Sequence, residues 1–346
     1  TIGLIKERER EELNSSFKEE SEIKDRIKKN EKHLQLREME YFNTMSHTEF
    51  LIDQYDNVAQ LTALSFDVVL RSILLPLISG ATLVLPGFDL RDIKKIIPWI
   101  IEHKITLFHS VPSLVESWIF EETSTPIPSL KYIFFAGEPL MGQLCNTWRK
   151  KFPGPVKLIN LYGPTETTLA KCFKIISEDC DDKKQLIGKP IPGVDILIVN
   201  SAEEQCAIGE VGEIAIRTPY MSLGYISNID NSKSFRKIRC CDDIVYLSGD
   251  LGKYLNCGNI EISGRIDDQI KLRGVRIEPS EIELSIKKNP HIKQCVIKCV
   301  YNIYDEKTLV CYYTSTSQIE VLDLLEDIKR YLPEYMTPSA FFKLSE

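Results

Sequence analysis

Two short apolar runs, Tyr132–Ala136 and Val156–Leu161, each stop at a chain-breaking turn, the first at Gly137 and the second at Tyr162-Gly163-Pro164. An uninterrupted apolar run of this length fits a strand buried on both faces. Such strands occur where helices cover a sheet on either side, so the two runs point to an α/β architecture. The surrounding sequence agrees. Leu61–Phe66 is apolar, Ile73–Leu77 and Ala81–Leu85 flank the breaker Ser79-Gly80, and Asp89 is placed to cap a helix running toward His103. Further on, Val194–Val199 and Glu213–Arg217 read as strands. Tyr246–Leu255 and Asn259–Ser263 form a hairpin around Asn256-Cys257-Gly258. From about Asp267 a smaller unit is expected, with helices at Pro279–Lys288 and Ile319–Tyr331 and strands at Cys295–Tyr301 and Thr308–Thr314.

At 346 residues the chain is too long for one compact core, and its 43% hydrophobic content is enough to build two. Residues Lys6 to Glu40 stand apart. They are rich in Glu, Lys and Arg, contain no Gly or Pro, and carry Leu13, Phe17, Ile23, Ile27 and Leu34 at spacings near four and seven. The pairs Glu20/Lys24 and Asp25/Lys29 support a helix, either a solvated one or a coiled-coil or docking helix with a thin apolar stripe. The net charge is -7, and no stretch is basic enough for a nucleic-acid footprint. No apolar run reaches the roughly 18–20 residues a bilayer crossing needs, and the acid-rich N-terminus does not resemble a signal peptide. The ten cysteines contain no CxxC pair and no zinc spacing. Reduced thiols and a cytoplasmic location are therefore expected.

The run most informative for chemistry is Asn160-Leu161-Tyr162-Gly163-Pro164-Thr165-Glu166-Thr167-Thr168. A strand ends in a Gly-Pro turn that presents an aromatic ring, two hydroxyls and a carboxylate. The ring could stack on a base and the carboxylate could hold Mg²⁺ beside phosphates. Taken alone, the same run is equally a strand-to-helix turn with a threonine cap. It does not stand alone. The run resembles the core motif of the adenylate-forming (AMP-binding) superfamily, which includes acyl-CoA synthetases, luciferases and the adenylation domains of nonribosomal peptide synthetases. Tyr246-Leu247-Ser248-Gly249-Asp250-Leu251-Gly252 resembles the family's ribose motif, with Ser248 in place of the usual threonine. Gly264-Arg265-Ile266-Asp267-Asp268-Gln269-Ile270-Lys271-Leu272-Arg273-Gly274 resembles its hinge motif, continued by Val275 to Glu283. Leu64-Ser65-Phe66-Asp67 followed by Leu75 to Ala81 resembles the start of an amino-acid pocket. The four motifs occur in the family's order.

The resemblance implies a fold and a set of roles. The fold would be α/β: a partial large adenylation subdomain of mixed and parallel sheets with helices (45–266), a partial small α+β lid (267–346), and a charged helical extension (1–44). Tyr162 would stack on adenine, and Gly137, Glu138 and Pro139 would lie where backbone approaches the base, Gly137 because a side chain would block that approach. Gly163 belongs to the same turn. Thr165 would contact the α-phosphate, Glu166 would bind Mg²⁺, Asp250 would accept both ribose hydroxyls, and Arg265 would sit near ribose and phosphates. Asp267 would be the hinge, and Lys271 or Lys343 are the lysines available as a catalytic cation, Lys343 in the wrong context. Asp67 would pair with a substrate α-ammonium. Val68, Arg71, His109, Phe134, Ala136, Leu161, Leu169 and Ala170 would line the pocket. His109 and Ala136 leave room for a small polar, serine-like side chain. Arg71 stands where the family usually has an aromatic residue, and could favour an acidic or hydroxylated substrate or point away.

The implied reaction uses ATP and Mg²⁺. An amino-acid carboxylate attacks the α-phosphate, and the resulting adenylate passes to the phosphopantetheine thiol of a peptidyl carrier protein. Two motifs have no counterpart: the Gly-, Ser- and Thr-rich phosphate loop, although Met45-Ser46-His47 resembles the residues that follow it, and the Asn-Gly-Lys segment after Leu332-Pro333-Glu334-Tyr335-Met336-Thr337-Pro338. Other synthetase modules, or a chain supplying the front half, are the expected further partners. Neither nucleic acid nor membrane is expected. An acyl-CoA synthetase is disfavoured by Asp67. A non-catalytic nucleotide-binding protein that docks through the N-terminal helix is the alternative from a different class.

Overall fold

The computed structural model describes residues 50–64, 66–90, 92–119, 124–225, 231–302, 307–317 and 319–344. The charged extension 1–44, the Met45-Ser46-His47 run and Ser65 lie outside the described residues. The chain divides into two compact units between Gly264 and Arg265.

In the first unit, β1 (Asn57–Ala59), β2 (Thr82–Val84), β3 (Leu107–Ser110), β4 (Tyr132–Phe135) and β5 (Lys157–Tyr162) are parallel. β6 (Cys172–Ile175) and β7 (Lys189–Pro190) extend the sheet antiparallel. Among the described residues the order is β2-β1-β3-β4-β5-β6-β7. The helices are α1 (Val68–Ser79), α2 (Ile93–Glu102), α3 (Pro112–Ile119) and α4 (Gly142–Lys151). Period-two alternation decides which helix covers which face. Leu107, Phe134 and Ile159 point to the face covered by α1 through Leu74, Leu75 and Ile78. Phe108, Ile133, Phe135 and Leu158 point to the other, where Ile96, Ile100, Val115, Trp118, Leu144 and Trp148 of α2, α3 and α4 are buried. The chain thus leaves β1 over one face and returns from β2 to β3 over the other. The switch between β1 and β3 opens a crevice at the strands' carboxyl ends, where open α/β sheets bind ligands.

A second, antiparallel sheet closes the α1 face. It consists of β8 (Asp195–Val199), β9 (Gly212–Arg217), β10 (Phe235–Ile238) and β11 (Cys241–Tyr254) in the order β10-β11-β9-β8, with β12 (Ile260–Arg265) pairing with β11. Ile196, Ile198, Ile214, Ile216 and Ile260 are buried in the same core as Leu107, Phe134 and Leu161. Each such side chain contributes about 1.5–3 kcal/mol on burial, which holds the two sheets together. The site described below lies between them.

The second unit has its own core, formed by Ile282, Ile286, Ile297, Cys311, Leu324 and Ile328. β13 (Ile270–Leu272) and β14 (Val275–Ile277) form a hairpin, followed by α5 (Pro279–Ile286), β15 (Ile292–Tyr301), β16 (Lys307–Ser315), α6 (Val321–Tyr331) and β17 (Ala340–Lys343). β15 and β16 are antiparallel, and β17 joins β16 in parallel. β17 was not foreseen from the sequence, because four residues with one charge carry too little pattern. Ile73–Leu77 is interior to α1, and the described residues 61–64 and 66 form no regular element. The helix expected from Asp89 begins three residues later, at Ile93 after Asp92, whose carboxylate pairs with Lys95 at 2.7 Å. No helix among the described residues is long and apolar enough to cross a membrane.

Candidate active site

The site is built around the turn from β5 to β6. β5 runs buried to Tyr162, and the chain then folds back so tightly that Lys171 N–H donates to the Tyr162 carbonyl at 2.6 Å. Gly163 sits under this return. A Cβ there would stand 2.1 Å from the Leu169 carbonyl oxygen and 2.8 Å from Ala170 Cα, so only glycine fits. Pro164 leads into a single 3₁₀ turn, Thr165–Thr167, with Thr165 exposed and Glu166 buried. One Glu166 carboxylate oxygen accepts from the Tyr225 hydroxyl at 2.7 Å, and its carbonyl accepts from Ser222 N–H at 2.8 Å. Thr168 and Leu169 both adopt positive φ (63° and 59°), a conformation that costs non-glycine residues about 1–3 kcal/mol each. The Lys171 ammonium, buried at 1% exposure, donates to the Thr168 carbonyl at 2.6 Å. Lys171 and Tyr225 were missed at sequence level. Lysine is an ordinary surface residue, and nothing in its neighbours announces burial. Asn160 holds the strand end from behind through Nδ2 to the Leu186 carbonyl at 2.9 Å.

The second part comes from β11. Its pairing with β9 passes from Leu247↔Ala215 to Leu251↔Glu213, so four residues on β11 match two on β9. The extra residues form a bulge at Ser248-Gly249-Asp250. Gly249 takes φ 72° there, a left-handed backbone that other residues adopt only at a cost. Bulges re-aim side chains. Here Ser248 Oγ donates to the Ile214 carbonyl at 2.8 Å and accepts from Asp250 N–H at 3.1 Å. Gly249 N–H donates to Glu213 at 2.9 Å. Asp250 is thereby turned inward, 4% exposed, where Tyr162 OH donates to its carboxylate at 2.9 Å. Burial, and then the Asp250 charge, push the Tyr162 phenol well above its usual range, so it remains a donor. Two residues 88 apart in sequence therefore meet at the carboxyl end of β5.

The expected pocket residues fall on neighbouring elements. Asp67 caps α1 without a side-chain bond to the helix, and it and Val68 are half-buried. Arg71 lies one turn into α1 and is 4% exposed, so it does not point to solvent. His109 on β3 stacks on Phe134 of β4, with ring centroids 4.8 Å apart and planes 17° apart. Burial, and then the nearby Arg71 charge, hold the His109 imidazole well below its usual pKa, so it is neutral at neutral pH. Leu161 and Ala170 are buried and Ala136 is partly buried in the α1-side core, and Leu169 is also buried. Gly137 adopts φ 85° in the turn after β4. The Glu138 carboxylate accepts from Ser113 N–H at 3.1 Å, at the start of α3, where a helix favours negative charge. Pro139 is exposed beside it.

In the second unit, Arg265 and Asp267 form a two-bond ion pair (2.5 and 2.6 Å). Burial would raise Asp267, but the Arg265 bonds and charge outweigh it and hold the carboxyl below its usual range. Lys271 lies on β13 opposite Arg276, and Lys343 donates to the Ser317 carbonyl at 3.0 Å. Among the described residues no three His, Cys, Asp or Glu side chains form a metal cage.

A buried tyrosine–aspartate pair and a glutamate turn stand together at the carboxyl end of β5 in a largely parallel α/β sheet. The chain belongs to the AMP-binding enzyme family, which it matches over residues 33–226, a stretch that begins inside the segment read from sequence as an extension. It is 30% identical to an L-2-aminoadipate reductase of Schizosaccharomyces pombe over 88% of this chain and 25% of that protein. It is 33% identical to tyrocidine synthase 3 of Brevibacillus parabrevis over 86% of this chain and 5% of that one. Among solved structures it is similar to the Vibrio cholerae adenylation domain AlmE in complex with glycyl-adenosine-5'-phosphate. That likeness has a TM-score of 0.78 and 25% identity, over 88% of this chain and 59% of that chain. The chain thus spans a quarter or less of these two relatives and about three-fifths of that structure.

Proposed function

We propose that this chain binds ATP in its first unit and activates the carboxylate of an amino acid as the aminoacyl-adenylate, for transfer to the phosphopantetheine thiol of a carrier protein. The observation that carries the reading is the Tyr162–Asp250 pair, set by the bulge at Gly249 beside the Glu166 turn. The donor set fits a nucleoside. A buried carboxylate suits the two donors of a ribose diol, and an aromatic edge suits a base. Glu166 is a single carboxylate, which fits a Mg²⁺ that keeps phosphate oxygens and waters as its other ligands. When bound, that ion would offset charge on the phosphates. Thr165, exposed on the same turn, is proposed to meet the α-phosphate. Arg265 and Lys271 are proposed to supply positive charge, and Asp267 to act as the hinge. An amino acid is supported by Asp67, a half-buried carboxylate with no side-chain partner among the described residues, suited to an α-ammonium. The aminoadipate and glycyl-adenylate named in the relatives are also amino acids or their derivatives.

The test is calorimetric titration of AMP into the unmutated chain and into Asp250→Asn. Losing a charged acceptor for two hydroxyls should weaken AMP binding by at least about tenfold. Equal affinity in the two proteins, or no AMP binding to either, would overturn the reading.

A further inference from the structure

We propose that Arg71 and His109 form an anion-accepting floor in the substrate pocket, and that the amino acid this chain activates carries a second, side-chain carboxylate. The inference rests on the reading above and names its substrate class.

The geometry begins with the topology. α1 starts at the carboxyl end of the sheet, at the switch between β1 and β3, and covers one face. Arg71 is in its first turn, one turn before Leu75, which packs with Leu107 and Phe134. His109 is the last residue but one of β3 and lies on the Leu107 side of the sheet by alternation. Arg71 and His109 therefore face the same crevice, and the Arg71 charge is felt at His109. Both side chains are 4% exposed. Among the described residues, Arg71 Nε and Nη1 and His109 Nδ1 have no hydrogen-bond partner. Asp67, four residues before Arg71 and able to reach it along the helix, forms no ion pair with it.

A buried guanidinium with unmet donors is a strongly unfavourable arrangement in an isolated protein. The natural repair is an anion that arrives with the ligand. Stacked flat on Phe134, the neutral His109 ring keeps one nitrogen unbonded among the described residues without adding a second charge. The walls, Phe134, Leu161 and Ala136, are apolar or small and supply no acid. An aspartate at the helix start and an arginine one turn in would thus read the two ends of one molecule, the ammonium and the distal acid. Charge-assisted hydrogen bonds to a buried arginine discriminate strongly against a neutral isostere, because the arginine stays unpaired when the isostere binds. A serine-like substrate would leave Arg71 unmatched.

The experiment titrates AMP, glutamyl sulfamoyladenosine and glutaminyl sulfamoyladenosine into the unmutated chain, then the two aminoacyl compounds into Arg71→Gln and Arg71→Lys. The glutamyl compound should bind about 10- to 100-fold more tightly than the glutaminyl one. Arg71→Gln should erase that ratio, and Arg71→Lys should restore part of it. If AMP binds but the two aminoacyl compounds bind alike, the inference is wrong and the nucleotide reading survives. If AMP does not bind, both fall. The comparison within the unmutated chain decides the matter even if a variant fails to fold.

Discussion

Replacing Gly163 by alanine should damage both the stability and the ligand affinity of the first unit. The added Cβ would lie 2.1 Å from the Leu169 carbonyl oxygen, 2.8 Å from Ala170 Cα and 2.8 Å from Lys171 N. All three neighbours are backbone, so no side chain can swing aside. To reach even 3.0 Å the Leu169 carbonyl must retreat by about 0.9 Å. That retreat pulls on the Lys171 N–H bond to the Tyr162 carbonyl, now 2.6 Å long, at the end of the strand that carries Tyr162. Orphaning a buried backbone pair costs about 1–3 kcal/mol, and overpacking costs about 1–3 kcal/mol more. The expected loss is therefore about 2–6 kcal/mol in urea unfolding. Trp99, Trp118 and Trp148, all buried in the first unit, provide a fluorescence signal for that unit. AMP affinity should fall at least about tenfold, because Tyr162, Thr165 and Glu166 shift with the turn. A Gly163→Ala protein within about 0.5 kcal/mol of the parent, the range of a neutral surface change, with unchanged AMP affinity, would refute the steric argument.

Two further predictions rest on the same geometry. Tyr162→Phe removes the donor at 2.9 Å from the buried Asp250 carboxylate and should cost about 1.5–3 kcal/mol of stability by urea unfolding, against near-neutrality if the bond contributed nothing. His109 is held well below 6.5 in the folded chain, first by burial and then by Arg71, so the unfolded chain binds the extra proton first as pH falls. Stability should therefore decline as pH drops below 6.5 and until the folded value is reached, by up to about 1.4 kcal/mol per pH unit from this one group. His109→Gln should flatten that part of the stability profile, and an identical profile would show that the imidazole is not the group responsible.

What the sequence made legible was whatever depends on local pattern. Tyr132–Ala136 and Val156–Leu161 are strands because their apolar runs can only be satisfied on both faces, and the observed strands differ by one residue at the ends. The hairpin of β11 and β12 could be read from Asn256-Cys257-Gly258. The motif around Asp250 was visible too, but not the way its carboxylate is placed. The bulge that turns Asp250 inward depends on the register against β9, which no single strand encodes. Arg71 could be read either as a specificity residue or as pointing away from the pocket. Its burial is decided by the position of α1 over the sheet, a tertiary fact. Lys171 went unnoticed for the same reason.

The β5–β6 turn shows why these omissions belong together. Thr168 and Leu169, neither of them glycine, are both held at positive φ, and strain of that kind survives only where the surroundings over-determine it. Here the constraints come from opposite ends of the turn. The Lys171 ammonium grips the Thr168 carbonyl, its N–H closes onto Tyr162, and Gly163 leaves the space into which Leu169 is pressed. The tyrosine then donates to Asp250 on the other sheet, and Glu166 is tied through Tyr225 to the segment before β10. Each tie is worth only about 1–3 kcal/mol, but together they fix the ring, the carboxylates and the Leu169–Ala170 wall in one rigid frame. A site that must align a nucleotide with a carboxylic acid gains more from such rigidity than it loses in strain, because misplacement of about 1 Å can cost about 10²-fold in rate. Under the proposed function, the strained pair would be the means by which one short turn serves the nucleotide on one side and the acid on the other.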